Sequence, residues 1–341
     1  MTPRISVLAV LLAVSISTAA AQSSNVSKRG TTAAPFLKIP QGARALGMGG
    51  AFVASAEGPS AMYWNPAGIT EVPGVQVLVE HTNWIADIQY EYLGATVGLG
   101  TMGAVGVNVT VSNIGDMKVT TVDQQDGTGE VFGVTDLAVG LSYGLKLTDN
   151  FAIGFNPKVI YQKIWKMSAT GFGIDLGIKY RTPFKGIVLG MAVTNFGSKM
   201  QMTGENGLVL YDPDPTSSGN NGHIPAYLST NEWELPLNFT VGLAYDVPIG
   251  SLGRLTIAAD AMHPNDNYES VNAGGEYVFQ DFLYLRAGMK SIFQTQSEEG
   301  LTFGVGIKQF VLGNVEFSVD YAYQDFSRLK NVQKFSLGIG F

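Results

Sequence analysis

The chain has 341 residues, a formal net charge of −7 and no cysteine. The negative balance argues against a nucleic-acid partner, which would need basic patches, and the lack of cysteine excludes disulfides and cysteine-ligated metals. Charged residues make up only 14% of the chain, against about 25% in soluble globular proteins.

The N-terminus has the features of a secretory signal peptide. Arg4 supplies a positive charge, residues 5–14 form a short apolar run, and Ala19-Ala20-Ala21 offers a small-residue cleavage site. The apolar run is too short to span a membrane as a helix, and no later stretch approaches the roughly 20 apolar residues required. We expect residues 1–21 to direct Sec-type export and residues 22–73 to form an N-terminal extension.

Residues 42–69 are rich in alanine and glycine and end in the turn sequence Asn65-Pro66-Ala67-Gly68. Within them, residues 47–50 read Gly-Met-Gly-Gly, which suggests a phosphate-binding loop. That fingerprint also needs a preceding strand and a glycine at position 52, where this chain has Phe52. The nucleotide-binding interpretation is therefore disfavoured.

From residue 75 onward, apolar and polar residues alternate with a period of two, which predicts strands with two different faces. In the last segment, Phe335, Leu337, Ile339 and Phe341 share one face, opposite Lys334, Ser336 and two glycines. About fourteen such segments follow one another, most of them near the ten or so residues of a tilted membrane strand.

The connections between these segments alternate in length. Short turns lie at residues 147–150, 279–281 and 310–314, and longer polar loops lie at residues 113–133, 195–236, 263–268, 291–299 and 324–332. Short turns at one end and long loops at the other are typical of an outer-membrane barrel. With an even number of strands, the first strand begins and the last strand ends on the same side, the periplasmic side with the short turns.

A soluble β-sandwich also alternates apolar and polar residues, but its polar face would carry abundant Lys and Glu. Here that face is rich in Gly, Ala, Ser and Thr, which suits a narrow lumen, and the apolar face suits lipid. We predict an all-β fold: an antiparallel transmembrane β-barrel of about fourteen strands over residues 74–341, with residues 42–69 as a small plug in its lumen. Small side chains would let the plug backbone approach the wall closely.

Few residues indicate chemistry. His81, His223 and His263 are scattered, and Asp212-Pro213-Asp214 and residues 263–267 are better explained as turns than as calcium sites. We therefore predict no catalytic residue, no metal and no cofactor. The longest loop contains apolar residues that either bury one another over the barrel mouth or form a surface for cargo or ligand: Met200, Met202, Tyr211, Tyr227 and Trp233.

Residues 36–69 resemble the N-terminal signature of the PorV/PorQ proteins, within the wider FadL-like group of outer-membrane barrels. The matching residues include Gly42, Arg44, Met48, Gly49, Gly50, Phe52, Tyr63, Trp64, Asn65, Pro66 and Gly68. One departure is Glu57-Gly58-Pro59, where family members often carry an acidic pair. The terminal residues Phe335, Leu337, Ile339 and Phe341 are similar to the signal read by the barrel-assembly machinery.

The resemblance implies two alternative functions. PorV-like proteins serve type IX secretion, in which the barrel binds the C-terminal signal domain of exported cargo. FadL-like proteins instead admit long-chain fatty acids or other hydrophobic compounds. We expect a non-enzymatic protein in the outer membrane of a diderm bacterium. Its expected partners are membrane lipid and the barrel-assembly machinery. The secretion alternative adds type IX secretion components and cargo signal domains, and the transport alternative adds a hydrophobic small molecule.

Overall fold

The computed structural model describes residues 28–71, 73–184, 186–219, 221–250, 253–294, 297–311 and 315–341, so the expected signal peptide lies outside the described residues. The strands are numbered in chain order: β1 (Val75–Asn83), β2 (Gln89–Gly98), β3 (Ala104–Lys118), β4 (Val131–Thr148), β5 (Phe151–Ile164), β6 (Met167–Arg181), β7 (Ile187–Gly197), β8 (Thr203–Gly204), β9 (Leu208–Tyr211), β10 (Ile224–Tyr227), β11 (Asn238–Pro248), β12 (Gly253–Pro264), β13 (Ser270–Phe279), β14 (Leu283–Ile292), β15 (Leu301–Val311), β16 (Val315–Asp325) and β17 (Asn331–Gly340).

Fourteen of these strands, β1–β7 and β11–β17, form a closed antiparallel barrel, as the sequence predicts. The first and last strands pair from Gln76↔Gly340 to Asn83↔Gln333. On the far side, β7 pairs directly with β11, and β5 pairs with β6. Every barrel strand therefore has two hydrogen-bonded neighbours, which satisfies backbone groups that no water could reach at membrane depth.

The two faces of the strands differ as the alternation predicts. On β17, Phe335 and Leu337 are exposed on the outer face, whereas Lys334 and Ser336 are buried on the inner face. Exposed aliphatic and aromatic side chains recur on the outer face of the other strands, including Leu141, Phe172, Leu243 and Phe303. This outer surface suits lipid.

The short connections lie at the barrel end where the strand-bearing part of the chain begins and finishes. The opposite end carries the three longest connections, β3–β4, β7–β11 and β14–β15. There, however, β5 and β6 are joined by only Trp165 and Lys166, and the remaining three connections have five residues each, as β2–β3 and β6–β7 do at the short-turn end. The loop expected at residues 113–133 is shorter, because β3 continues to Lys118 and β4 begins at Val131. The loop expected at residues 195–236 is partly ordered, because it contains β8, β9 and β10.

Residues 33–71, called the inner segment below, precede β1 and contain four short helical turns. These are the 3₁₀ helix Pro35–Lys38, α1 (Ala43–Gly47), α2 (Ala61–Trp64) and the 3₁₀ helix Pro66–Glu71. Most of the inner segment is buried, with Phe52, Met48, Leu46 and Met62 fully so. Its buried side chains pack against inward-facing strand residues such as Ala104, Ala244 and Ala258, and together they form the largest hydrophobic cluster of the described residues. No helix in the described ranges is long and apolar enough to cross a membrane.

Candidate functional site

A buried polar cluster joins the inner segment to β1 and β17. The Glu80 carboxylate accepts hydrogen bonds from the Gly42 backbone N–H at 2.9 Å, from Lys334 Nζ at 2.6 Å and from Ser336 Oγ at 2.6 Å. Lys334 Nζ also donates to the Pro40 carbonyl at 2.6 Å. Neither charged side chain of this cluster is exposed to solvent, so each depends on the other for its partner.

A second cluster of charges connects the inner segment to β13, β14 and β16. Arg44 donates to both carboxylate oxygens of Glu276, at 2.8 and 2.7 Å. Arg286 donates to Glu276 Oε2 and to Asp320 Oδ1, each at 2.6 Å. Arg44 also pairs with Glu57, within the inner segment. Two arginines thus share one fully buried carboxylate, an arrangement in which bidentate geometry fixes the orientation of the helix α1.

Strand side chains also bond directly to the backbone of the inner segment. The Asp260 carboxylate accepts hydrogen bonds from the Phe52 and Val53 N–H groups at 2.7 and 2.9 Å. Three strands along the barrel, on β6, Lys179 Nζ donates to the Ala56 carbonyl at 2.9 Å. Polar inward-facing residues therefore satisfy backbone groups that the short helices leave without partners.

Two glycines show how closely the inner segment approaches the wall. A Cβ atom built on Gly154 of β5 would lie 2.2 Å from the Pro66 carbonyl carbon. A Cβ atom on Gly190 of β7 would lie 2.4 Å from the Val53 carbonyl oxygen. Any larger side chain at either position would displace the backbone of the inner segment, which explains why small residues face inward here.

The inner segment lies between two cavities. The outer cavity, of about 560 Å³, opens among the long connections; its apolar wall includes Phe36, Trp84 and Ile88, and its charged wall includes Lys38, Asp266, Lys290 and Glu299. The inner cavity, of about 770 Å³, lies at the short-turn end and is lined by Arg44, Glu57, Arg254, Lys308 and Asp320, among others. Residues 35–40 line the outer cavity and residues 57–60 line the inner one.

The residues expected in the plug all belong to the inner segment. Gly49 and Gly50 have φ of 69° and 72°, a conformation that favours glycine. Tyr63 Oη donates to the Leu37 carbonyl, and Trp64 Nε1 donates to the Gln41 carbonyl. The Asn65 amide donates to the Val53 carbonyl and to the Ile178 carbonyl of β6. The other members of the set are Gly42, Arg44, Met48, Phe52, Pro66 and Gly68.

The sequence did not reveal the contacts through which wall residues hold this segment. Glu80, Lys334 and Asn156 are buried on the inner face, and Asn156 donates to the Met62 carbonyl at 3.3 Å. The signal available was an isolated charged or amide residue at an inward position of a strand. That signal marks a buried polar group that needs a partner, but it does not identify the partner.

The loop residues expected at a cargo or ligand surface separate into two groups. Met200 is buried against Gly171 of β6, and Met202 packs beside it. Tyr211, Tyr227 and Trp233 are exposed. The methionines therefore anchor the loop to the barrel, and the aromatic residues lie on its free surface. In the described part of the chain no three His, Asp or Glu side chains are grouped as metal ligands.

Comparison with protein families supplies the decisive observation. Residues 21–201 match the model of the type IX secretion system protein PorV. The chain belongs to the PorV family. Family and fold together place this PorV-family chain in the outer membrane of a diderm bacterium.

Solved structures with a similar fold include a toluene transporter and a monoaromatic hydrocarbon channel. The Pseudomonas putida toluene transporter TodX is 13% identical, with a TM-score of 0.55 over 88% of this chain and 96% of that chain. The CymD monoaromatic hydrocarbon channel is 14% identical, with a TM-score of 0.54 over 88% and 97%. A Pseudomonas aeruginosa FadL homologue is 14% identical, with a TM-score of 0.53 over 86% and 96%. At this identity the likeness shows the fold alone. No curated protein matched the sequence.

Proposed function

We propose that this PorV-family barrel binds exported cargo, or its signal domain, at its outer end and does not conduct it through the lumen. The observation that carries the proposal is the way the inner segment is held. Side chains from eight strands, β1, β2, β5, β6, β12, β13, β15 and β17, hydrogen-bond to its backbone. We infer that the segment acts as a permanent plug.

The energetics support a plug that stays in place. Each of these hydrogen bonds contributes about 0.5–1.5 kcal/mol, and more where a charge is involved. Moving the segment would break them together and would take Arg44 away from the buried Glu276 carboxylate, which would keep Arg286 as its cationic partner on the wall. A polypeptide therefore has no route through the barrel, and contact with cargo is confined to the loops at either end.

The outer end offers the better surface for such contact. The connection between β7 and β11 is the longest in the chain, and it exposes Leu210, Tyr227 and Leu228 to solvent. Long loops with apolar residues on rigid scaffolds are usually functional. Assembly of the barrel itself would use the outward-facing terminal residues Phe335, Leu337, Ile339 and Phe341, as a signal to the barrel-assembly machinery after Sec-type export.

The test is a gene replacement in the native bacterium. Deletion should leave type IX cargo in the periplasm, and a copy carrying Ala43→Cys and Ser336→Cys should restore secretion even when oxidised. Ser336 Oγ lies 3.0 Å from Ala43 N, so the two cysteines would tie the plug to β17 in a chain with no other cysteine. The single-cysteine variants serve as controls.

The outcomes separate the alternatives. Unaffected secretion in the deletion strain would contradict the secretion role. Restoration by the single variants but not by the oxidised double variant would show that the plug must move, against the proposal.

The outer cavity favours a second candidate, uptake of hydrophobic compounds. It combines an apolar wall with Lys38, which lies 2.6 Å from Asp266. In this alternative the purified barrel should retain acyl chains detectable by native mass spectrometry, and the disulfide-tied plug should abolish their uptake into cells. Purification without bound lipid, with uptake unchanged by deletion, would remove this candidate.

A further inference from the structure

The strands β9 and β10 form a hairpin on the longest outer loop, attached to the barrel only near its base in the described part of the loop. Met167 and Ser168 of β6 pair with β8 just before the hairpin, and Met200 and Trp233 form a bridge below it. The hairpin pairs Leu208–Tyr211 with Ile224–Tyr227 as a separate two-stranded sheet. Each of its two strands is therefore an edge strand with one unpaired side.

The register shows which backbone groups each edge presents. The Leu228 N–H donates to the Gly207 carbonyl at 2.8 Å, so residues 207 and 228 are a hydrogen-bonded pair. Hydrogen-bonded pairs alternate with non-hydrogen-bonded pairs in antiparallel strands. The pairs Leu208↔Tyr227 and Leu210↔Pro225 are therefore not hydrogen-bonded to each other, and Leu208 and Leu210 direct their N–H and C=O groups away from β10. The Leu208 N–H donates to the Glu205 carbonyl at the end of the short turn before β9. In the described structure Leu210 has no backbone hydrogen bond on the outward side.

The two edges are not equivalent. The outward-directed positions of β10 are Pro225 and Tyr227, paired with Leu210 and Leu208. Proline has no N–H and cannot donate to an added strand, so Pro225 blocks the β10 edge. On the β9 edge the Leu210 N–H and the carbonyls of Leu208 and Leu210 are directed outward, and no proline ring obstructs an added strand. An added strand would therefore join β9.

The side chains beside this edge are apolar and exposed. Leu208 and Leu210 are 48% and 64% exposed, and Tyr227 on the same face of the hairpin is 69% exposed. An exposed apolar strand with a free edge pairs readily with any extended chain. The hairpin thus offers both main-chain hydrogen bonds and an apolar contact to an incoming strand.

The charge of the loop restricts the incoming strand further. Between residues 200 and 236 there is no Lys or Arg, and the acidic residues are Glu205, Asp212, Asp214, Glu232 and Glu234. Glu205 and Glu234 form ion pairs with lysines at the base of the loop, Lys166 and Lys199. The loop as a whole is negative, which favours a positively charged partner.

We propose that cargo adds an extended strand, apolar with flanking basic residues, to the β9 edge through Leu208 and Leu210. The inference rests on the proposed cargo-binding function and names its contact. It also accounts for the placement of Pro225, which leaves a single edge open and so fixes the side on which cargo docks.

The test measures binding of a purified C-terminal signal domain from a type IX cargo of the same bacterium. Leu210→Pro removes one donor from the β9 edge without touching the pairing with β10, and Tyr227→Pro is the matched change on the blocked edge. Loss of a donor that leaves a partner carbonyl unpaired should weaken binding about tenfold. Tyr227→Pro should change it by less than about threefold. Leu210→Ala, which keeps the N–H, should bind more tightly than Leu210→Pro.

Hydrogen exchange gives an independent readout. Cargo should protect the Leu210 amide, and raising the ionic strength to about 0.5 M should weaken binding through screening. If the wild-type barrel does not bind the signal domain, the proposed function fails together with the inference. If it binds but both proline variants bind equally, or Leu210→Ala loses as much as Leu210→Pro, only the strand-addition inference fails. A dimer of the barrel that forms without cargo and is lost in Leu210→Pro would assign the edge to a second copy and overturn the inference.

Discussion

Lys334 and Glu80 lie on adjacent strands, β17 and β1, and their Nζ and Oε1 atoms are 2.6 Å apart with no exposure of either side chain. They are separated by 254 positions in the sequence. Together they close the barrel and hold the inner segment, because Lys334 also bonds to Pro40 and Glu80 to Gly42. The same pair thus supports both the wall and the proposed plug.

We predict that Lys334→Met destabilises the folded barrel by about 3–5 kcal/mol, because it leaves the Glu80 carboxylate buried without its counter-charge. The measurement is the free energy of unfolding by denaturant in lipid vesicles. Adding Glu80→Gln should recover part of the loss, since the uncompensated charge is then removed.

A matched control is available on the same wall. Lys308→Met breaks an ion pair with Glu316 whose side chains are 33% and 20% exposed. Such partly solvated pairs contribute about 0–1 kcal/mol. Equal losses in the two lysine variants would show that the Lys334–Glu80 pair has no special role.

Gly154→Ala should impair assembly, because the added Cβ would meet the Pro66 carbonyl carbon at 2.2 Å. Overpacking of this kind costs about 1–3 kcal/mol. Gly115→Ala on β3 is the control, since no heavy atom lies within 4 Å of its Cβ position. The folded fraction on unheated gels, together with protease cleavage after Arg44, measures both effects. Indistinguishable variants would mean that the inner segment does not press against β5.

The barrel could be predicted from the sequence because its main signal is local. In residues 334–337, polar Lys334 and Ser336 alternate with apolar Phe335 and Leu337. That alternation alone assigns the inner and outer faces. The lengths of the connections then assign the two ends. These features depend on neighbouring residues only, so a single sequence contains them.

The contacts of the inner segment could not be predicted, because they depend on strand stagger. Alternation places Glu80 and Lys334 on the inner face, yet their pairing is decided by the register of β1 against β17. The hairpin β9–β10 was missed for a similar reason. Its strands are only four residues long and are separated by twelve residues rich in Pro, Ser and Gly, which is typical of an irregular loop.

Asp260→Ala should loosen one side of the inner segment, because the Phe52 and Val53 N–H groups lose their acceptor. Each unsatisfied buried donor costs about 1–3 kcal/mol. Hydrogen exchange at these two amides should accelerate, while Asp246→Ala, whose carboxylate bonds to Thr256 Oγ1 on the neighbouring strand, should leave them unchanged. Unaltered exchange in Asp260→Ala would contradict the observed bonds.

Glu299 makes the rim of the outer cavity sensitive to acid. Burial opposes its ionisation, but the Lys290 charge and hydrogen bonds from Lys290 and Ser291, at 2.7 and 2.5 Å, outweigh burial and hold its pKa below the usual range. Because the folded pKa is lowered, the stabilisation is complete above the ordinary glutamate pKa of about 4.3. It is lost as the pH falls through the lower folded value.

We therefore expect residues 297–301 to lose hydrogen-exchange protection, corrected for intrinsic rates, as the pH falls from about 6 to below about 4. The neighbouring Glu298, whose pKa is lowered by a hydrogen bond from Arg328, titrates in the same direction. Glu299→Gln distinguishes the contributions of the two glutamates. This variant should show less protection at pH 6, and its remaining pH dependence should be the part due to Glu298. Glu232→Gln, on a different loop, should retain the full acid response. A wild-type response that persists in Glu299→Gln would assign the acid sensitivity to another group.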